Sequence, residues 1–406
     1  MKQNYFILWL IIITLSLNSS GRTVSAQDNS MISPEAQAVI KSLPQELQNL
    51  YVQVGSPVGV GAYDNFTAPK APWKFCFSDS YQGNPWRVAV RTEFERLVKV
   101  YKSVNRVSTY EFQNANNDVD LQNAQIQQFI KDGCSIIFSI PGSTDGHDAV
   151  IKMAHDAGIP FITGEGAVTS PLAVTITSNF YTWGYDMANG IAKALDGKGN
   201  VLMVEGLKGH NIVILERQGA DAAFKQYPDI KILGSVNGDW TPSVTKAALR
   251  DVLGLIHEPV DAVWTTGSEA RFVAEAFEER GLSLPLITAS ISGDALGYWK
   301  DHPDDFKFYG QGNLPARLAE GMFKVGVRTL LGQTPKLNLI MMPLPEVTQD
   351  TLSNWYQPCM NTEAASVFPI PPTDPNPDSI LNGYFKNGAE IPDYSYSDTP
   401  NPCSKQ

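Results

Sequence analysis

The chain has little positive charge, little histidine and few cysteines. Lysine and arginine total 31 against 42 acidic residues, a net charge of −11. Nucleic-acid binding needs a basic footprint, so that class is excluded. Five histidines are scattered along the chain, and four cysteines form no C-x-x-C pair. A zinc site is therefore not expected, and neither is any other metal. No G-x-S-x-G stands at a strand end; "GSTDG" does not fit the nucleophile elbow. No G-x-G-x-x-G follows a strand, since "GVGAY" lies in a linker and "GLKGHN" lacks the spacing. No cofactor is expected.

Long apolar runs are also lacking, with one exception at the N-terminus. "YFILWLIIITLSL" follows Lys2 and precedes the small-residue string "VSA" at 24–26. Its 13 residues fall short of the roughly 20 that a bilayer span requires. Residues 1–26 thus read as a cleaved signal peptide, and the product as exported and periplasmic. Cys76, Cys134, Cys359 and Cys403 suit an oxidising compartment. Cys359 with Cys403 is the preferred bridge, closing the Pro-rich tail on itself. Cys76 and Cys134 sit at or near core strands and read as unpaired buried thiols.

At 406 residues the chain is too long for one ordinary core. Residues 27–72 form an N-terminal extension and linker. From 73 onward nine short apolar runs, such as "KFCFS", "SIIFSI" and "NVLMVEG", alternate with segments of helical period. Gly133 and Gly158 close two of those helices. This alternation predicts an α/β protein of two doubly wound parallel-sheet lobes joined by a hinge, with irregular terminal extensions. One lobe takes 73–178 plus 313–341 and the other 179–312. Residues 342–406 read as a Pro-rich extension packed on a lobe.

Ligands of open α/β sheets bind beyond the carboxyl ends of the strands. Those ends carry Asn84, Trp86 and Arg87, then Glu165, Trp240, Ser268, Ser292 and Asn313, with Glu216 and Arg217 on a helix. Indole faces stack on sugar rings, and charged and amide groups hold hydroxyls. Such a set suits a neutral polyhydroxy ligand. Plainer roles compete: Trp240 as a helix staple, Arg217 paired with Asp221 on the surface, Asp294 as an N-cap.

"NPWR", "IPFITGEG", "GDW" and "GNLPARLAEG" occur in that order over 73 to 340. In this the chain resembles type I periplasmic sugar-binding proteins, the ribose-binding-like solute receptors of ABC transporters. The resemblance implies ligand-binding roles for Asn84, Trp86, Arg87, Glu165 and Asn313, with Trp240 opposing Trp86 across the ligand. The chain departs from the family pattern at Gly166, Gly267 and Ser292, and the helical arginine aligns only to within one residue, at Glu216 or Arg217. The sugar itself is not carried over.

The expected function is capture of a small carbohydrate (monosaccharide, polyol or cyclitol) by a monomer, and delivery to an ABC transporter permease in the membrane. One alternative is a sensing receptor of the same fold presented to a chemoreceptor. The weaker one is a secreted carbohydrate-active enzyme using Glu165 with Asp239 or Asp294.

Overall fold

The computed structural model describes residues 31–405, so the expected signal peptide lies outside the described residues. Twelve strands run in chain order: β1 (Trp73–Asp79), β2 (Val107–Asn114), β3 (Ile136–Ile140), β4 (Phe161–Gly164), β5 (Val174–Thr177), β6 (Lys198–Glu205), β7 (Asp229–Asn237), β8 (Ala262–Trp264), β9 (Leu286–Ser290), β10 (Lys307–Gln311), β11 (Leu339–Met341) and β12 (Glu346–Thr348). They form two six-stranded sheets, ordered β11-β5-β4-β3-β1-β2 and β12-β10-β9-β8-β6-β7. Every pairing is parallel except β10 with β12. The central strands β3, β4 and β5 are buried throughout, as strands covered by helices on both faces must be. The chain crosses between sheets after β5, after β10 and after β11.

Helix ends follow their sequence signals. Asn84, Asp118 and Asn179 cap helices Pro85–Ser103, Val119–Lys131 and Phe180–Ala194 through their side chains. Gly133 and Gly158 adopt φ of +68° and +71° just past helix ends, a conformation that costs glycine little.

Two expectations are corrected. Cys76 and Cys134 are disulfide-bonded, with Cα atoms 6.1 Å apart. Parallel pairing sets Cys76 beside Ile137, so Cys134 enters β3 from directly alongside β1. Cys359 and Cys403 form the second bridge. The C-terminal extension packs on both sheets rather than on one. Trp355 and Met360 join the core of the second sheet, while Leu381, Tyr384 and Phe385 join that of the first. The N-terminal extension packs into the first core through Ala36, Leu47 and Tyr51.

Beneath the tail, helix Pro315–Leu330 buries Arg317, Glu320, Lys324 and Arg328. Tail acids meet the last two: Lys324 Nζ lies 2.6 Å from Asp374, and Arg328 pairs with Asp378. Buried charges persist only when partnered, so the tail completes the fold.

Candidate functional site

β1 ends in Asp79, and this acid organises the first loop. Its Oδ1 accepts from Arg87 Nη1 at 2.7 Å and from the Tyr81 amide at 3.1 Å; its Oδ2 accepts from Gln82 Nε2 at 2.6 Å. Asn84 Oδ1 accepts the Arg87 amide at 2.8 Å and caps the helix, with Pro85 at its first position. Trp86 is thereby held in the first helical turn, beyond the strand end. Its Nε1 donates to the Asn313 carbonyl at 2.9 Å, linking the first loop to the crossing that follows β10.

Glu165 follows β4 at φ +62°, an unusual angle for a residue with a side chain. Its main-chain oxygen accepts from Thr177 Oγ1 at 2.7 Å, and its Oε1 accepts from Asn313 Nδ2 at 3.1 Å. Enclosure raises the Glu165 carboxyl above its usual range; the Asn313 bond and the cations Arg87 and Arg317 act against that rise.

On the second sheet, Asp239 and Trp240 stand at φ +53° and +50° after Gly238. That turn throws the indole over Gly206, and the His210 ring meets it edge-on at 5.4 Å between centroids. Glu216 is buried on helix Asn211–Phe224 and accepts from Thr266 Oγ1 at 2.9 Å. Burial pushes its carboxyl well up, and the neighbouring acids Glu165 and Glu269 push further. Glu269, at the start of helix Ala270–Glu278, is also raised by burial, to about 8.

These groups converge. A cavity of about 140 Å³ is lined by Asn84, Trp86, Arg87, Glu165, Trp240, Ser268 and Asn313, seven of the eight strand-end candidates, and by Glu216 from the helix. Arg217 and Ser292 stand outside it. Arg217 pairs with Glu205 at 2.6 Å and Asp221 at 2.8 Å on the outer face of its helix. Ser292 is buried at the start of helix Gly293–Asp301, donating to Asp294 at 2.6 Å. Helical spacing explains the first difference: Val213, Glu216, Ala220 and Ala223 form the buried face, so Glu216 rather than Arg217 faces inward.

Sequence reasoning missed Trp183, His210 and Thr266 in the wall, and Phe368 from the tail. The inward period decides for Glu216 over Arg217; nothing local marks Phe368. Three polar atoms of lining residues are buried without a hydrogen-bond partner: Trp183 Nε1, Glu269 Oε2 and Asn313 Oδ1. Native interiors rarely tolerate such atoms, so they point to a ligand.

Comparison with known proteins places this geometry. The family model described as "Periplasmic binding protein domain" matches residues 75–324, more than half of the chain. A xylitol-binding protein of Mycolicibacterium smegmatis is 24% identical over 264 residues, covering 64% of this chain and 74% of that one. A galactofuranose-binding protein of Escherichia coli is 27% identical over 244 residues, covering 58% and 75%. The crystal structure of an ABC transporter solute-binding protein from Thermobispora bispora superposes with a TM-score of 0.65 at 24% identity, over 75% of this chain and 100% of that one.

Proposed function

The chain belongs to the periplasmic binding protein domain family, and from that premise we propose that it captures a small carbohydrate between its two sheets for an ABC importer. The ligand class is a monosaccharide, polyol or cyclitol, in keeping with the xylitol and galactofuranose of the relatives' names. One observation carries the reading. The cavity sets Trp86 from one sheet's strand ends and Trp240 from the other's around buried polar atoms that lack partners.

Indole faces suit the C–H faces of a sugar ring, and each buries roughly 150–250 Å². Asn84, Arg87, Glu165, Ser268 and Asn313 then hold hydroxyls. Because the walls come from both sheets, the ligand prefers the closed arrangement. Shifting an open–closed equilibrium from 1:99 to 99:1 takes about 5.5 kcal/mol of such preference, and two stacking faces with several hydrogen bonds are of that order. The closed form is what a membrane permease would recognise. The protein works outside the cytoplasm, and no helix among the described residues is long and apolar enough to cross a membrane.

An enzymatic role is disfavoured. The matched family model is one of binding proteins, and the relatives named above are a xylitol-binding and a galactofuranose-binding protein. The test is thermal unfolding against sugars, polyols, cyclitols and amino acids, since a ligand of the native state raises the midpoint. A rise with a carbohydrate, lost in folded Trp86→Ala and Trp240→Ala, supports the reading. A rise with amino acids alone refutes it.

A further inference from the structure

We propose that the preferred ligand carries a free amino group: an amino sugar or aminocyclitol whose ammonium sits between Glu216 and Glu269. This rests on the carbohydrate-binding reading and narrows it.

The charges of the wall are unbalanced. Glu165, Glu216 and Glu269 all line the cavity, and Arg87 is the one lysine or arginine among the lining residues. Arg87 is committed to buried Asp79. Glu165 has the Asn313 amide, and Arg87 and Arg317 within electrostatic reach. Glu216 and Glu269 have no basic partner among the described residues. The charged neighbours of Glu216 are Glu165, Glu205 and Glu269, and Glu205 is spent on Arg217. Besides Glu216, the charged neighbour of Glu269 is Asp294, itself held by Arg271. His210, also in the wall, has its ring lowered below the usual histidine range by burial and by Arg87.

Glu269 is placed with care. It is 2% exposed, and its Oε2 has no partner. Its carboxyl occupies the space where a side chain at 267 would begin, so glycine there is what lets it fold into the cavity. Two adjacent acids in an enclosed space must either keep protons or receive a cation. Of the three unpartnered polar atoms in the wall, two are acceptors, Glu269 Oε2 and Asn313 Oδ1, and one is the Trp183 Nε1 donor. An ammonium brings three donors and no acceptor, and the faces of Trp183 and Trp240 favour a cation near them.

The test is calorimetric titration of the purified protein at pH 7.5 with matched probes: D-glucose and D-glucosamine, D-galactose and D-galactosamine, myo-inositol and an amino-inositol, with the N-acetylated forms as controls. The expected result is that at least one amine binds about tenfold or more tighter than its parent. Acetylation, which removes the charge, should abolish the gain. In Glu216→Gln and Glu269→Gln the amine-to-parent ratio should fall towards one. The acetylation comparison uses wild-type protein and stands even if a variant fails to fold. Parents that bind as tightly as their amines would overturn the inference and leave the carbohydrate reading intact. So would a gain that survives acetylation. If no carbohydrate of either kind binds, the carbohydrate reading itself falls.

Discussion

The indole of Trp240 fills the space in which a side chain at position 206 would begin: a Cβ on Gly206 would collide with its six-membered ring and with Nε1. Gly206 directly follows β6, whereas Trp240 is held by the left-handed turn after β7. Parallel pairing of these strands, Glu205 beside Asn237, fixes the two against each other. Gly206→Ala should therefore displace the indole without touching the ligand directly. The expected outcome is carbohydrate binding weakened by about tenfold or more, a modest fraction of what an aromatic face contributes. Titration would read it, and an unchanged circular dichroism spectrum would attest the fold. Undiminished affinity would mean that Trp240 is not a ligand wall.

Arg328 makes the tail part of the domain. Its guanidinium is fully buried and binds Asp378, Gln333 and Asn382. Removing one partner of a buried pair costs about 3–5 kcal/mol, because the other charge is left stranded. Asp378→Ala should destabilise the protein towards the lower end of that range, since Gln333 and Asn382 remain as acceptors. Asp374→Ala should act similarly on Lys324, which keeps the Asn376 carbonyl at 2.9 Å. Urea unfolding measures both. A loss below about 1 kcal/mol in each would show that solvent replaces the tail easily.

That stripe of charge shows where the sequence was legible and where it was not. The core strands read clearly because a parallel strand buried on both faces is a continuous apolar run. β2 did not: it is an edge strand, and only Val107 of its eight residues is buried. β11 and β12 are three residues each and lie next to proline-rich segments. In the site, Asn84, Trp86 and Glu165 announced themselves by standing at strand ends. Glu216 and Arg217 needed the helix face to be resolved. Charges at 317, 320, 324 and 328 on one helix would ordinarily mean a solvated face. Glu320, Lys324 and Arg328 are buried under a tail with little periodicity that folds back over them, a long-range pairing, while Arg317 is held by Ser178 and the Met342 carbonyl.

The two disulfides should respond differently to reductant. Cys76 and Cys134 are 0% and 3% exposed, while Cys359 and Cys403 are half-buried near the chain end. Under mild dithiothreitol, alkylation followed by mass spectrometry should mark Cys359 and Cys403 first. The bridges close loops of 58 and 44 residues. By the chain-entropy model each is worth about 4 kcal/mol, so Cys76→Ala with Cys134→Ala should lower stability markedly. Equal labelling of all four cysteines would contradict the burial argument.

The buried acids set a direction for the pH dependence of the unliganded protein. Burial lifts Glu269 and Glu320 from the ordinary 4.5 to about 8, with Asp294 and Glu93 respectively adding to the rise. The folded chain thus holds protons that the unfolded chain gives up. Stability from these groups is complete below about 4.5 and is lost as pH rises through about 8. The histidines pull the other way only at lower pH. His147 and His210 are lowered by burial, so their cost appears below the ordinary 6.5. Between pH 6.5 and 9 the acids therefore decide the slope, and the melting midpoint should fall across that window. Glu269→Gln, which carries no proton to lose, should flatten the fall, and Glu320→Gln should flatten it independently, since Glu320 faces the tail rather than the cavity. A midpoint that rises from pH 6.5 to 9 would mean that these carboxyls are ionised and paired in the folded state, contrary to their enclosure.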